Sequence, residues 1–476
     1  MPHYGLGVQS LKSEIDNTVL PVEGALPHWL LGRLIRNGPA MFEVGGQSFN
    51  HWFDGLAALH QFNFADHQVT YSCKFLQSEA YKRAKSSDQI SSVEFGTRRK
   101  MSLLARVRDI FAPELSDNAN VNALPLAGRW VALTETPYMT EFDPSSLNTI
   151  GAYKFDDKLK YHVTTAHPHY DFDHGALYNV VVTFGKTSRY GLTRQVAGEQ
   201  RRQLLGQVET SSPGYMHSFA MTRRYVILTE FPLRLAATEL LFSGKPYIEC
   251  YHWLKDKPTN FIVLSKANGA LVRRFEAEPG FSFHHINAYE RGDEILVDLA
   301  FLPDSRIVQA LYLSNLRQDG PVPVGQAKRF CLDLKSGAVK CESLAAGGLD
   351  FPQINYKKHS SRQYTYFYGV GTDLDGDAAP RTQPDFLNDL RRVNTDTKTV
   401  KIWKQAGCYP GEPVFVAAPG NNSQREDDGV LLSLVLDVEA GGSFLLVLDA
   451  SSMQEIARLA LPQATPFTFH GVFEGR

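Results

Sequence analysis

No stretch of this 476-residue chain approaches twenty consecutive apolar residues, so nothing in it reads as a membrane-spanning helix. Cysteine is scarce: Cys73, Cys250, Cys331, Cys341 and Cys408 are the five, and no two make a Cys-x-x-Cys pair. That spacing excludes a zinc ribbon or a thioredoxin motif and predicts reduced thiols and a cytoplasmic home. Net charge is also lacking. A balance of −2 argues against general affinity for nucleic acid. The start of the chain, Met1-Pro2-His3-Tyr4-Gly5, has neither a charged opening nor an apolar run, so no signal peptide is expected. No glycine-rich phosphate loop joins a strand to a helix, and no nucleophile elbow surrounds Ser218 beside His217. Helical periodicity is rare, with candidates only at about 99–111 and about 234–242.

What remains is mostly short strands. Trp130–Leu133, Phe261–Leu264, Tyr364–Tyr368, Val430–Leu436 and Phe444–Leu448 are apolar runs rich in β-branched or aromatic residues, bounded by Gly, Asp, Asn and Pro. A long series of strands without βαβ alternation predicts an all-β architecture. A chain of this length with no clear linker favours radial repetition, a propeller, over a small sandwich, although no strict Trp-Asp repeat marks each blade. The 29 Phe and 20 Tyr suit a large core or an apolar ligand tunnel.

Four of the 15 histidines stand in recognisable settings. They are His167 in Thr-Ala-His-Pro-His-Tyr-Asp, His217 in Tyr-Met-His-Ser-Phe, His284 in Phe-His-His-Ile-Asn and His470 in Thr-Phe-His-Gly. After each of the first three a short turn leads, about ten residues on, to a strongly apolar strand. Fifty residues separate His167 from His217 and 67 separate His217 from His284, spacings that fit successive blades each offering one axial side chain. The fourth is expected to end the last strand of the chain. Imidazoles aimed at one point suit zinc, copper, iron or nickel. Four neutral ligands leave such an ion its full charge, so carboxylates behind them are expected to accept the second ring N–H and fix the tautomer. Candidates at strand ends are Glu135, Asp350 and Glu412.

These segments, with Arg36-Asn37-Gly38-Pro39, His51-Trp52-Phe53-Asp54-Gly55, Glu94-Phe95-Gly96-Thr97, Phe351-Pro352-Gln353-Ile354-Asn355-Tyr356 and Glu426-Asp427-Asp428-Gly429, resemble the carotenoid cleavage oxygenase family in content and order. The wording is most similar to the branch holding animal β-carotene oxygenases and the retinoid isomerase of the eye. The resemblance implies one domain spanning 1–476, a seven-bladed β-propeller capped by loops and short helices. It implies one non-haem Fe(II) held by His167, His217, His284 and His470, with His169 and His285 as neighbours rather than ligands. Glu135, Asp350 and Glu412 would orient three of the four, leaving His167 without such a partner. Asp350 departs from the family's usual glutamate by one methylene, so its reach to an imidazole is in question.

The implied reaction is oxidative cleavage of a conjugated C=C bond of a carotenoid or apocarotenoid by O₂, giving two carbonyl products, with retinal among the possible ones. Stilbene cleavage, a retinoid isomerase-like reaction and a propeller that only binds an apolar ligand are the rival readings. By the same resemblance Phe95 lines the substrate tunnel and the methyl of Thr134 restricts access beside the metal. Stilbene-cleaving members tend to carry a lysine where this chain has Thr134, which favours a polyene. Two stretches that mix basic and apolar residues, 98–111 and 232–242, are expected to touch a membrane surface from which such a substrate is drawn, or to pack as cap helices.

Overall fold

A computed structural model of the chain describes residues 4–65, 68–90, 92–98, 115–373, 386–420 and 425–476. Seven antiparallel sheets of four or more strands stand around one axis, a seven-bladed β-propeller. Inner strands of neighbouring blades pack on one another near the axis, among them Ala220–Met221 on His285–Arg291 and His285–Arg291 on Gly348–Gln353. Burial decides which sequence forms which strand. In the fifth blade the second strand, Glu294–Phe301, is covered on both faces and is almost wholly apolar, whereas the outermost, Val339–Ser343, is mostly exposed and polar.

Both ends of the chain close the ring. The last strand, Gly471–Gly475, is the inner strand of the first blade and pairs with Gly32–Met41. Near the other end, Val22–Gly24 adds an outer strand to the seventh blade through Glu455–Ala460. The third, fourth and fifth blades are the ones that carry His167, His217 and His284, so the sequence spacings do mark successive blades. The longer second interval reflects an excursion, residues 231–258, between two strands of the fourth blade.

Two local readings change. His470 does not end a strand; the last strand begins at the next residue. The stretch near 234–242 is not one helix. Leu233–Leu235 is extended and pairs with Tyr251–Trp253, and only Ala237–Phe242 is helical. The candidate helix at about 99–111 lies outside the described residues, and of the stretch 98–111 only Arg98 is described, donating to the Lys245 carbonyl.

Candidate metal centre

Each blade delivers one functional side chain to the axis. His284 and His470 immediately precede the inner strands of the fifth and first blades, His217 stands three residues before that of the fourth, Ala220–Met221, and His167 sits between two short inner strands of the third, Val163–Thr164 and His169–Asp171. Glu135 follows Arg129–Leu133 in the second blade, Asp350 lies on the inner strand of the sixth, and Glu412 sits between Cys408–Pro410 and Val414–Ala417 of the seventh. The four histidines converge: one ring nitrogen from each lies within 4.8 Å of the others.

The carboxylates set the tautomers. His217 Nδ1 donates to Glu135 Oε1 at 2.5 Å, His284 Nδ1 to Asp350 Oδ1 at 2.7 Å, and His470 Nδ1 to Glu412 Oε1 at 2.8 Å. Each proton is thereby held on Nδ1 and each Nε2 lone pair faces the axis. The Nε2 atoms of His284 and His470 then stand lone pair to lone pair, 3.3 Å apart, and those of His167 and His217 are 3.0 Å apart. Facing lone pairs repel unless a cation lies among them. For metal–nitrogen bonds of about 2.1 Å, donors at right angles on one ion stand about 3.0 Å apart, so the donor set fits a single transition-metal ion.

Electrostatics agree. Burial, reinforced by the other imidazoles, drives the pKa of His167 well below the usual histidine range. Burial also lowers His217 and His470, against the opposing pull of Glu135 and Glu412. Neutral imidazoles are the form that ligates. Glu412 behaves oppositely: burial opposes its ionisation, but His470, Arg36 and Gln353 outweigh that and hold it below the ordinary carboxylate range. For Asp350, likewise, burial is the largest single influence, but His284, the Phe351 N–H and His217 together outweigh it.

His169 and His285 are excluded as ligands because both nitrogens of each ring are engaged. His169 meets Tyr356 Oη (3.0 Å) and the Phe219 carbonyl (2.9 Å); His285 meets Ser218 Oγ and Thr229 Oγ1, each at 2.8 Å. His167 has no carboxylate partner among the described residues.

The family model described as retinal pigment epithelial membrane protein matches residues 8–475. The chain belongs to that family, the carotenoid oxygenases. The human mitochondrial carotenoid-cleaving dioxygenase is 34% identical over 522 residues, covering 95% of this chain and 87% of the human one. The carotenoid isomerooxygenase of Galleria mellonella is 33% identical over 511 residues, covering 98% and 96%. A mutant of the Synechocystis apocarotenoid oxygenase has the same fold at TM-score 0.85 and 26% identity, and a cobalt-substituted form gives 0.86 and 27%; each comparison covers 99% of this chain and 98% of the other. In this carotenoid oxygenase the four histidines form a cluster whose ring nitrogens could hold one metal ion.

Above three of them, His217, His284 and His470, opens a cavity, most of whose wall is apolar. Phe95 and Thr134 line it together with Glu135 and Asp350, so every candidate site residue of the sequence reading is in the histidine cluster, beside it or on this wall. The Phe95 ring packs among His51, Phe53, Tyr215 and Tyr247. Three supporting residues escaped the sequence reading although they lie inside the quoted motifs. Tyr215 donates to Glu135, Gln353 donates to Glu412, and the fully buried Arg36 donates to the Glu412 carbonyl, to Thr468 Oγ1 and to the Phe469 carbonyl. Their signal was position: Tyr215 stands two residues before His217, and Gln353 three after Asp350.

Proposed function

We propose that this carotenoid oxygenase is a non-haem Fe(II) dioxygenase that splits one conjugated C=C bond of a carotenoid or apocarotenoid with O₂ into two aldehydes, with the chain 1–476 working as one domain. The observation that carries the reading is the apolar cavity ending on three imidazoles whose lone pairs are aimed by carboxylates. His167, His217, His284 and His470 hold the iron, and Glu135, Asp350 and Glu412 fix the orientation of three of them. Iron(II) in that set supplies redox chemistry with O₂, which zinc lacks. The chain's own part is placement and exclusion of water. The Phe95 cluster and neighbouring aliphatic residues hold a conjugated chain by shape, and the Thr134 methyl narrows the approach to the imidazoles. Among the described residues no lysine or arginine lines the cavity, which supports a neutral polyene over a phenol.

Uptake at a membrane surface fits the region 232–242. Phe242 is 70% exposed at the end of Ala237–Phe242, and Tyr247, five residues on, reaches the cavity wall. Among the described residues no helix is long and apolar enough to cross a bilayer. We place the enzyme in the cytoplasm as a peripheral membrane visitor, a reading its five unbridged cysteines support.

The test is to incubate iron-loaded protein with β-carotene, several apocarotenals and resveratrol, and to identify products by mass spectrometry. Polyene cleavage to aldehydes is expected. Stilbene cleavage alone would overturn the substrate, and well-folded protein that takes up no iron would end the enzymatic reading. His284→Ala is expected to lose iron and activity with its β-sheet circular dichroism intact.

A further inference from the structure

Among the described residues three carboxyl groups line the cavity: Glu94, Glu135 and Asp350. The last two are committed to His217 and His284. Among the described residues Glu94 has no basic partner. Its Oε1 accepts from Ser92 Oγ at 2.5 Å and from Ser116 Oγ at 2.6 Å, which fills both lone-pair directions of that atom. Among the described residues no group meets Oε2. Among the described residues the charged groups that act on it are Asp54 and Asp117, both carboxylates, which disfavour a second anion. Burial, more than these, raises its pKa to about 8, so at neutral pH the group is mostly the acid, with its proton on Oε2. The amides on the same wall have spent their donors. Asn118 Nδ2 donates to the carbonyls of Asp54 and Gly55, and Asn120 Nδ2 to those of Phe53 and Gly55.

We propose that the Oε2–H of Glu94 donates a hydrogen bond to a carbonyl or hydroxyl oxygen at one end of the polyene, so that this enzyme selects an oxygen-terminated apocarotenoid over a hydrocarbon carotene. The inference rests on the polyene-cleaving reading and names its substrate class. A hydrocarbon end would leave a buried donor unpaired, and that loss provides the discrimination. The same anchor fixes how far along the chain the cleaved bond lies.

Binding tests it without turnover. An apocarotenal and the equal-length polyene whose terminal aldehyde is replaced by methyl are titrated anaerobically into the iron-loaded enzyme, followed by quenching of its aromatic fluorescence. Wild type is expected to favour the aldehyde by roughly tenfold, the scale of one net hydrogen bond. Glu94→Gln keeps an N–H at the same place and should keep the preference. Glu94→Leu should lose it while binding the hydrocarbon no worse. Equal binding of the two polyenes by wild type overturns the proposal by itself, even if the leucine variant fails to fold, and so does a preference that survives in Glu94→Leu. The two readings fail differently. A binding preference with no cleavage of either polyene defeats the dioxygenase and spares the anchor; cleavage of both with no preference does the reverse.

Discussion

At Asp350 a side chain one methylene shorter than glutamate meets its imidazole directly, at 2.7 Å. The backbone supplies the missing reach. The register of the inner strand shifts between Asp350 and Gln353, and Phe351 takes a left-handed φ of 50°, costly for a bulky residue. That turn lets the Phe351 N–H donate to Asp350 Oδ1 and lays its ring 5.2 Å from that of His284. Asp350→Ala should weaken metal binding about 10–100-fold in a chelator competition; unchanged affinity would mean that packing, not the carboxylate, aims His284. Glu94 makes a second prediction at this scale. Its pKa rises from 4.5 in the unfolded chain to about 8 in the fold. Between those values the folded state binds more protons than the unfolded one, so stability falls as pH rises through that window. Glutamine does not titrate. The melting-temperature advantage of Glu94→Gln over wild type should therefore grow from pH 5 to about 8 and then level off, and an advantage that stays constant with pH would refute the raised pKa.

Among the elements, the segment carrying His470 depends on a close backbone approach. Asn37 N–H donates to the His470 carbonyl and Phe469 N–H to the Asn37 carbonyl, 2.9 and 2.8 Å, which lays Thr468–His470 along Gly32–Met41. A Cβ on Gly38 would stand 2.6 Å from Thr468 Cα. Gly38→Ala should cost about 1–3 kcal/mol in urea unfolding and reduce iron occupancy; a variant equal to wild type in both would show that the segment yields freely. The sequence made the blade strands legible where β-branched and aromatic runs were bounded by turn residues, as at Val430–Leu436 inside Gly429–Asp437. It misled where apolar spacing suits either period. Leu233, Leu235 and Leu240 fit a helix on paper, but pairing with Tyr251–Trp253 and the ion pair from Arg234 to Glu230, 2.6 Å, hold the first part extended. That the last strand begins after His470 instead of ending at it was hidden because its partner, Gly32–Met41, lies more than four hundred residues away.

Over the whole molecule, closure of the ring makes the site. Blades one, three, four and five bring histidines; blades two, six and seven bring carboxylates; and the pairs formed, His470 with Glu412 and His284 with Asp350, each tie adjacent blades together. The convergent histidine group was legible from four motifs in order, since the propeller turns a one-dimensional series of strand edges into a convergent set. Tyr215, Gln353 and Arg36 were not, because their roles exist only once separate blades meet. The central claim is that this set supports insertion of both atoms of O₂ into one polyene double bond. The direct measurement is cleavage of an apocarotenal by iron-loaded protein under ¹⁸O₂, with products reduced at once to alcohols to stop exchange with water, then weighed by mass spectrometry. The account predicts one heavy oxygen at the new end of each fragment. Label in only one fragment, or an intact polyene with iron bound, would contradict it.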